Sequence, residues 1–182
     1  MQLWVIVAGL AFLMVLGSIL WIMPSKRDRR IAGLRQAAII KGVRVKLIKY
    51  PLINLSGRVE EGAVDAAGYS FDGVESNRLH SGWMLIRSHH NVEETSSSSS
   101  FAGWDWYINQ GELPLAIIQH IESLLGAYKE QLHAVSILSG GITIGWNEDG
   151  TADDVIKFED WANTLRGLLG DYFASLDEHE GE

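Results

Sequence analysis

The chain has 182 residues and a mass of 20.2 kDa, which suits one compact domain with an appendage and leaves no room for two full domains. A content of 47% hydrophobic and 21% charged residues excludes a collagen-like or largely disordered chain, and the absence of cysteine excludes disulfides, thiolate metal sites and thiol nucleophiles. The net charge of −8 hides three unlike stretches: residues 1–25 carry no charged side chain, residues 26–49 hold nine of the fifteen Lys and Arg against one acid, Asp28, and residues 50–182 hold six basic against 22 acidic residues.

Residues 3–23 form an apolar run in which Ser18 is the only polar side chain, with Trp4 and Trp21 near its ends. As a helix the run spans about 31 Å, close to the ~30 Å hydrocarbon core of a bilayer, and indoles favour the headgroup region. The sequence therefore predicts a transmembrane anchor over residues 1–24. A cleaved signal peptide fits less well, because nothing basic precedes the run and Pro24-Ser25-Lys26-Arg27 stands where a small-residue cleavage site would be. With the basic residues on the C-terminal side, the positive-inside rule places the N-terminus outside and the remainder in the cytoplasm, a single-pass protein of a bacterial inner (plasma) membrane.

Ser25 and Asp28 have the spacing of a capping box, and Gly42 stands where a helix would stop, so residues 25–42 read as a short basic helix beside the membrane. Lys26, Arg27, Arg29, Arg30 and Arg35 form a collar that either meets anionic lipid or only sets topology. Nucleic acid is an unsuitable partner, since the acidic remainder repels phosphate.

Residues 43–176 read as an α+β domain. Residues 43–50 alternate as a strand that Pro51 ends, and the glycine-studded stretch to residue 82 shows only a short strand near residues 69–71. Residues 83–87 and 103–108 suit strands on either side of a flexible loop carrying five consecutive serines, 96–100. A helix starts at Pro114, with apolar residues from Ile117 to Tyr128 at helical spacing. Residues 134–138 and 142–146 flank Ser139-Gly140-Gly141 as a hairpin. Residues 147–150 form a turn, and Thr151 and Asp154 make a second capping box. The final helix carries a stripe of Val155, Phe158, Trp161, Ala162, Leu165, Leu168, Leu169, Tyr172 and Leu176, followed by an acidic tail, residues 177–182. The expected architecture is a mainly antiparallel sheet of four to six strands with two helices on one face.

The chain lacks the glycine-rich phosphate loops, the nucleophile elbow and the H-E-x-x-H helix. Asn147-x-Asp149-Gly150 has the look of a calcium loop, but aligning Gly150 with the sixth position puts Gly145 and Ile156 where carboxylates are required. His80, His89, His90, Glu93 and Glu94 carry metal-ligating atoms in a loop too poorly preorganised for a site, and His120 and His133 read as edge residues of a helix and a strand. No catalytic residue, metal or cofactor is expected. Trp104, Trp106 and Trp146 are the candidate partner patch; strand alternation favours burying them instead.

Pro24, the cations Lys26, Arg27, Arg29 and Arg30, and Lys41-Gly-Val-Arg-Val45 at the start of a strand give residues 1–47 a pattern that resembles the YajC-type accessory subunit of the bacterial preprotein translocase. The remainder is similar to an uncharacterised group of proteobacterial single-pass inner-membrane proteins. The anchor, the cytoplasmic placement and the missing catalytic constellation together lead to the expectation of a protein partner in an envelope assembly. The function expected is a non-enzymatic, membrane-tethered interaction or scaffold module that presents its acidic domain to a protein partner, beside a lipid bilayer. A membrane-bound enzyme and a translocation accessory subunit are the alternatives.

Overall fold

In chain order the elements are α1 (Gln2–Ile22), α2 (Lys26–Ile40), β1 (Arg44–Ile53), β2 (Val59–Phe71), β3 (Trp83–Arg87), β4 (Trp104–Asn109), α3 (Leu115–Ala127), β5 (Leu132–Leu138), β6 (Gly141–Trp146) and α4 (Ala152–His179). The computed structural model describes residues 2–22, 24–53, 59–73, 82–88, 101–109, 111–138 and 141–179. Two units divide this run, Met1–Gly33 and Leu34–Glu182, so that the boundary falls inside α2.

In the second unit the strands form one six-stranded sheet in the order β1-β2-β6-β5-β3-β4, with every neighbouring pair antiparallel. Alternation with period two sends one set of side chains to a common core. Tyr69 and Phe71 of β2, Ile142, Ile144 and Trp146 of β6, Val135 and Ile137 of β5, and Trp83 and Leu85 of β3 belong to it. Helical residues cover this face: Leu34 and Ala38 of α2, Ile117, Ile121, Leu124 and Leu125 of α3, and Val155, Phe158, Ala162, Leu165 and Leu169 of α4. The stripe expected on the last helix is the one buried, with Leu168, Tyr172 and Leu176 packed at its margin and Phe173 added to it. Three helices therefore contribute to the core, not the two expected, because Leu34 and Ala38 bring the end of α2 onto the sheet.

β1 and β2 depart from the sequence reading. β1 continues through Pro51 to Ile53, since it is an edge strand whose outer side needs no amide hydrogen; its register shifts between Pro51 and Ile53. β2 runs for 13 residues where only a short strand was expected. Its glycines conceal it. Gly68 lies under Ile48, whose Cδ1 would stand 2.3 Å from a β-carbon added there, so the strand is small on this face because β1 lends it a side chain. Tyr50 likewise lies across Gly145 of β6, and its phenol is pushed up to about 12 by burial. Tyr50, Ala66, Ile86 and Ala134, flanked by Ile48 and Met84, form a second, smaller cluster on the face away from the helices.

The membrane anchor is corrected. Among the described residues no helix is long and apolar enough to cross a membrane. The transmembrane segment, the single-pass topology and the inner-membrane location with a cytoplasmic domain are withdrawn on that finding.

The packing of Tyr50 over Gly145 gives a stability prediction. In Gly145→Val a β-carbon would meet the Tyr50 ring at 2.8 Å. The forced displacement should cost about 1–3 kcal/mol in urea unfolding. Adding Tyr50→Ala should make the combined loss smaller than the sum of the two single losses, because the two sites share one contact.

Candidate functional site

Among the described residues of the second unit, two gatherings of polar side chains stand out. The first is the turn after β6. Asn147 donates its amide to the Gln131 carbonyl at 3.0 Å, and its Oδ1 accepts the Asp149 amide at 2.9 Å, a local turn that accounts for the calcium-like spacing. Between them Glu148 takes φ 62°, a left-handed conformation that costs a side chain such as glutamate about 1 kcal/mol. The turn aims its carboxylate back at the core, where Glu148 is 5% exposed. Arg35 of α2 meets it with two parallel bonds, Nε to Oε1 at 2.7 Å and Nη2 to Oε2 at 2.6 Å. The Tyr69 hydroxyl donates to Oε1 at 3.0 Å. Burial first, and then the Glu148 carboxylate, push the Tyr69 phenol well above its usual value; the hydrogen bond to Glu148 raises the Arg35 guanidinium.

The second place is an open groove of about 510 Å3 between α3 and the start of α4. Leu124 and Trp161, both nearly buried, line it together with Ala127, and Ser123, Tyr128, Asp154 and Lys157 supply its polar atoms. Asp154 is the hub. Its Oδ2 accepts the Thr151 amide at 2.9 Å and the Thr151 hydroxyl at 3.1 Å, the capping box expected at the start of α4. Its Oδ1 accepts the Tyr128 hydroxyl and Lys157 Nζ, each at 3.0 Å. Burial alone would raise this carboxyl, but the Thr151 amide, Lys157, Tyr128 and the Thr151 hydroxyl outweigh it and hold it at about 2. Burial and then the Asp154 bond raise the Tyr128 phenol, and the Asp154 bond raises the Lys157 ammonium.

The groove does not assemble a nucleophile and its base. Ser123 Oγ donates back to the His120 carbonyl at 2.7 Å, a bond within its own helix. His120 stacks on Trp161 with ring centroids 5.2 Å apart and planes 5° from parallel. The two residues also exchange hydrogen bonds, the Trp161 indole to the His120 carbonyl and the His120 Nε2 to the Trp161 carbonyl, both at 3.0 Å. His120 thus joins α3 to α4 and does not face a serine hydroxyl.

The residues singled out from the sequence are dispersed. Trp104 is 2% exposed and Trp146 fully buried, both in the core; Trp106 is half-buried against Phe101, with ring centroids 5.9 Å apart. They do not form an exposed patch. Arg35 leaves the collar for Glu148, while Lys26, Arg27, Arg29 and Arg30 are exposed on the first turns of α2. His80, His89, His90, Glu93 and Glu94 lie outside the described residues, as do the serines at 96–100. Among the described residues no group of three or more His, Asp and Glu is placed to hold a metal ion. Sequence reasoning missed Glu148 and Tyr128. The capping box announced Asp154, but nothing in the sequence marks a glutamate 113 residues from its arginine as that arginine's partner.

No known protein family, no curated protein and no solved structure matches the chain.

Arg35→Met should lower stability by about 3 kcal/mol in chemical unfolding, since among the described residues it leaves the buried carboxylate with Tyr69 as its remaining side-chain donor. Arg35→Lys should recover only part of that loss, because a point ammonium cannot span both oxygens. For Asp154 the folded pKa lies below the ordinary 3.8, so its contribution is complete above that value and disappears as pH falls towards about 2. Asp154→Asn should therefore reduce stability at neutral pH and flatten the acid limb of a stability-against-pH curve in this window.

Proposed function

We propose that the second unit is a non-enzymatic interaction module whose α3–α4 groove receives a basic, amphipathic segment of a protein partner. The observation that carries this reading is the way the polar atoms of the groove are spent. Asp154 accepts four hydrogen bonds, Ser123 donates to its own helix and His120 is stacked and hydrogen-bonded between helices, so the polar atoms serve the fold and the apolar floor of Leu124 and Trp161 is left for a ligand. Aromatic and aliphatic floors of this kind supply most of the affinity at protein interfaces.

Charge supports a basic partner. Residues 50–182 hold 22 acidic against six basic residues, and the neighbours of the groove residues on the same helices, Glu122, Asp153 and Asp160, are exposed carboxylates. An acidic surface speeds the encounter with a cationic segment and makes it dependent on salt. A partner that arrives with apolar side chains between cations would place the former on Trp161 and Leu124 and the latter at the carboxylate rim.

The full chain, isotopically labelled and titrated with a synthetic amphipathic peptide of leucine and lysine, tests the reading. Resonances of Ser123, Ala127, Lys157 and the Trp161 indole should shift together, and Ala127→Arg should weaken binding roughly tenfold or more by filling the groove. Shifts confined to other surfaces, or an affinity indifferent to Ala127→Arg, would overturn it.

A further inference from the structure

Among the described residues that line the α3–α4 groove, Asp154 is the one acid and Lys157 the one base. The four hydrogen bonds that Asp154 accepts are not alike. Two come from Thr151, its amide and its hydroxyl, both to Oδ2, and belong to the cap that starts α4. A third comes to Oδ1 from the Tyr128 hydroxyl, whose ring is held edge-to-face against Phe158 at 4.8 Å. These three are fixed by the fold. The fourth, also to Oδ1, comes from Lys157 Nζ at 3.0 Å, and its donor stands on a flexible stem with the side chain 64% exposed, against 15% for Asp154.

An exposed pair one helical turn apart contributes little to stability, and its long side chain exchanges rotamers freely. Lys157 also has a second place to go. Asp153, exposed, lies four residues before it, with acid preceding base at the spacing that favours an ion pair on a helix surface. The Asp154 oxygen that Lys157 leaves would still be oriented by Tyr128 and by the cap on the sister oxygen. It would then be a fixed carboxylate beside the apolar floor of Leu124 and Trp161, the pairing that a basic, amphipathic segment requires.

We infer that Asp154 Oδ1 is the seat for one basic side chain of the partner, and that Lys157 holds this seat in the free protein and gives it up on binding. The inference rests on the reading of the groove given above and adds to it the atom that takes the cation and the side chain that leaves. Because Oδ2 already accepts two bonds from Thr151, the incoming group meets a single oxygen. An ammonium therefore serves as well as a guanidinium, and the two-bond clamp that favours arginine over lysine is not offered.

Calorimetric titration of the full chain with the leucine–lysine peptide tests the exchange. Lys157→Gln should tighten binding about twofold, the worth of an ion pair at this spacing. Asp154→Asn should weaken it roughly tenfold, the worth of a hydrogen bond to a charged group. In the Asp154→Asn background the gain from Lys157→Gln should vanish, since both act through one bond, whereas a general effect of removing a cation would persist. Arginine in place of the peptide lysines should leave the affinity within about twofold. In the parent chain, with no substitution to disturb the fold, the nitrogen-15 ammonium resonance of Lys157 should move on saturation with peptide. Circular dichroism of each variant should match the parent. If the peptide does not bind the parent at the groove, the reading of the groove falls and the exchange with it. If it binds there but Lys157→Gln brings no gain, the gain survives in Asp154→Asn, or the Lys157 ammonium stays where it was, the exchange alone is overturned.

Discussion

Trp146 is the side chain on which the helical layer and the sheet agree. Its ring meets Tyr69 of the neighbouring strand edge-on at 5.5 Å and Phe158 of α4 nearly perpendicularly at 5.1 Å, and Phe158 in turn meets Tyr128 at the end of α3 at 4.8 Å. Edge-to-face pairs fix orientation as well as distance, because the positive rim of one ring seeks the negative face of the next. This line of rings therefore sets where α4 lies on the sheet. Both polar centres hang from its ends: Tyr69 carries its hydroxyl to Glu148, and Tyr128 carries its own to Asp154. The aromatic core and the buried charges are one construction, in which each phenol is anchored by its ring and directed by its oxygen.

How much of this was legible in the sequence follows from where each signal resides. α4 could be read because its apolar stripe and its Thr151–Asp154 cap are both local, and the structure buries the one and closes the other. β5 and β6 could be read for the same reason. β2 could not, because Ala66 and Gly68 look like a weak strand until Ile48 of β1 is seen lying over that face. The tryptophans were ambiguous between patch and core, and alternation along the strands decided for the core. Arg35 looked like one more member of a basic run, and only the closing of the fold showed that its partner is Glu148. The apolar head was the plainest signal of all. It reads as a bilayer span, and among the described residues no helix is long and apolar enough to cross a membrane.

Charge is used in opposite ways in the two units. In Leu34–Glu182 the Glu148 carboxylate is turned inward, where desolvation is costly, and the bidentate bond from the part-exposed Arg35 together with the Tyr69 hydroxyl compensates. In Met1–Gly33 Lys26, Arg27 and Arg29 stand exposed on the first turns of α2, the end where the helix dipole disfavours cations. The first arrangement specifies a structure; the second leaves charge at the surface. A net charge of −8 conveys neither.

The strand order has a consequence for the order of assembly. β1 and β2 can pair as soon as both exist, and so can β3 and β4, but these two hairpins do not touch one another in the sheet. They are joined by the last pair to be made: β6 takes the inner edge of β2 and β5 takes the inner edge of β3. Until residues 132–146 leave the ribosome, each early hairpin holds an open edge able to pair with any extended chain nearby. The closing hairpin is thus a keystone, and the nascent chain depends on whatever shields two unfinished half-sheets while it waits for that piece to arrive.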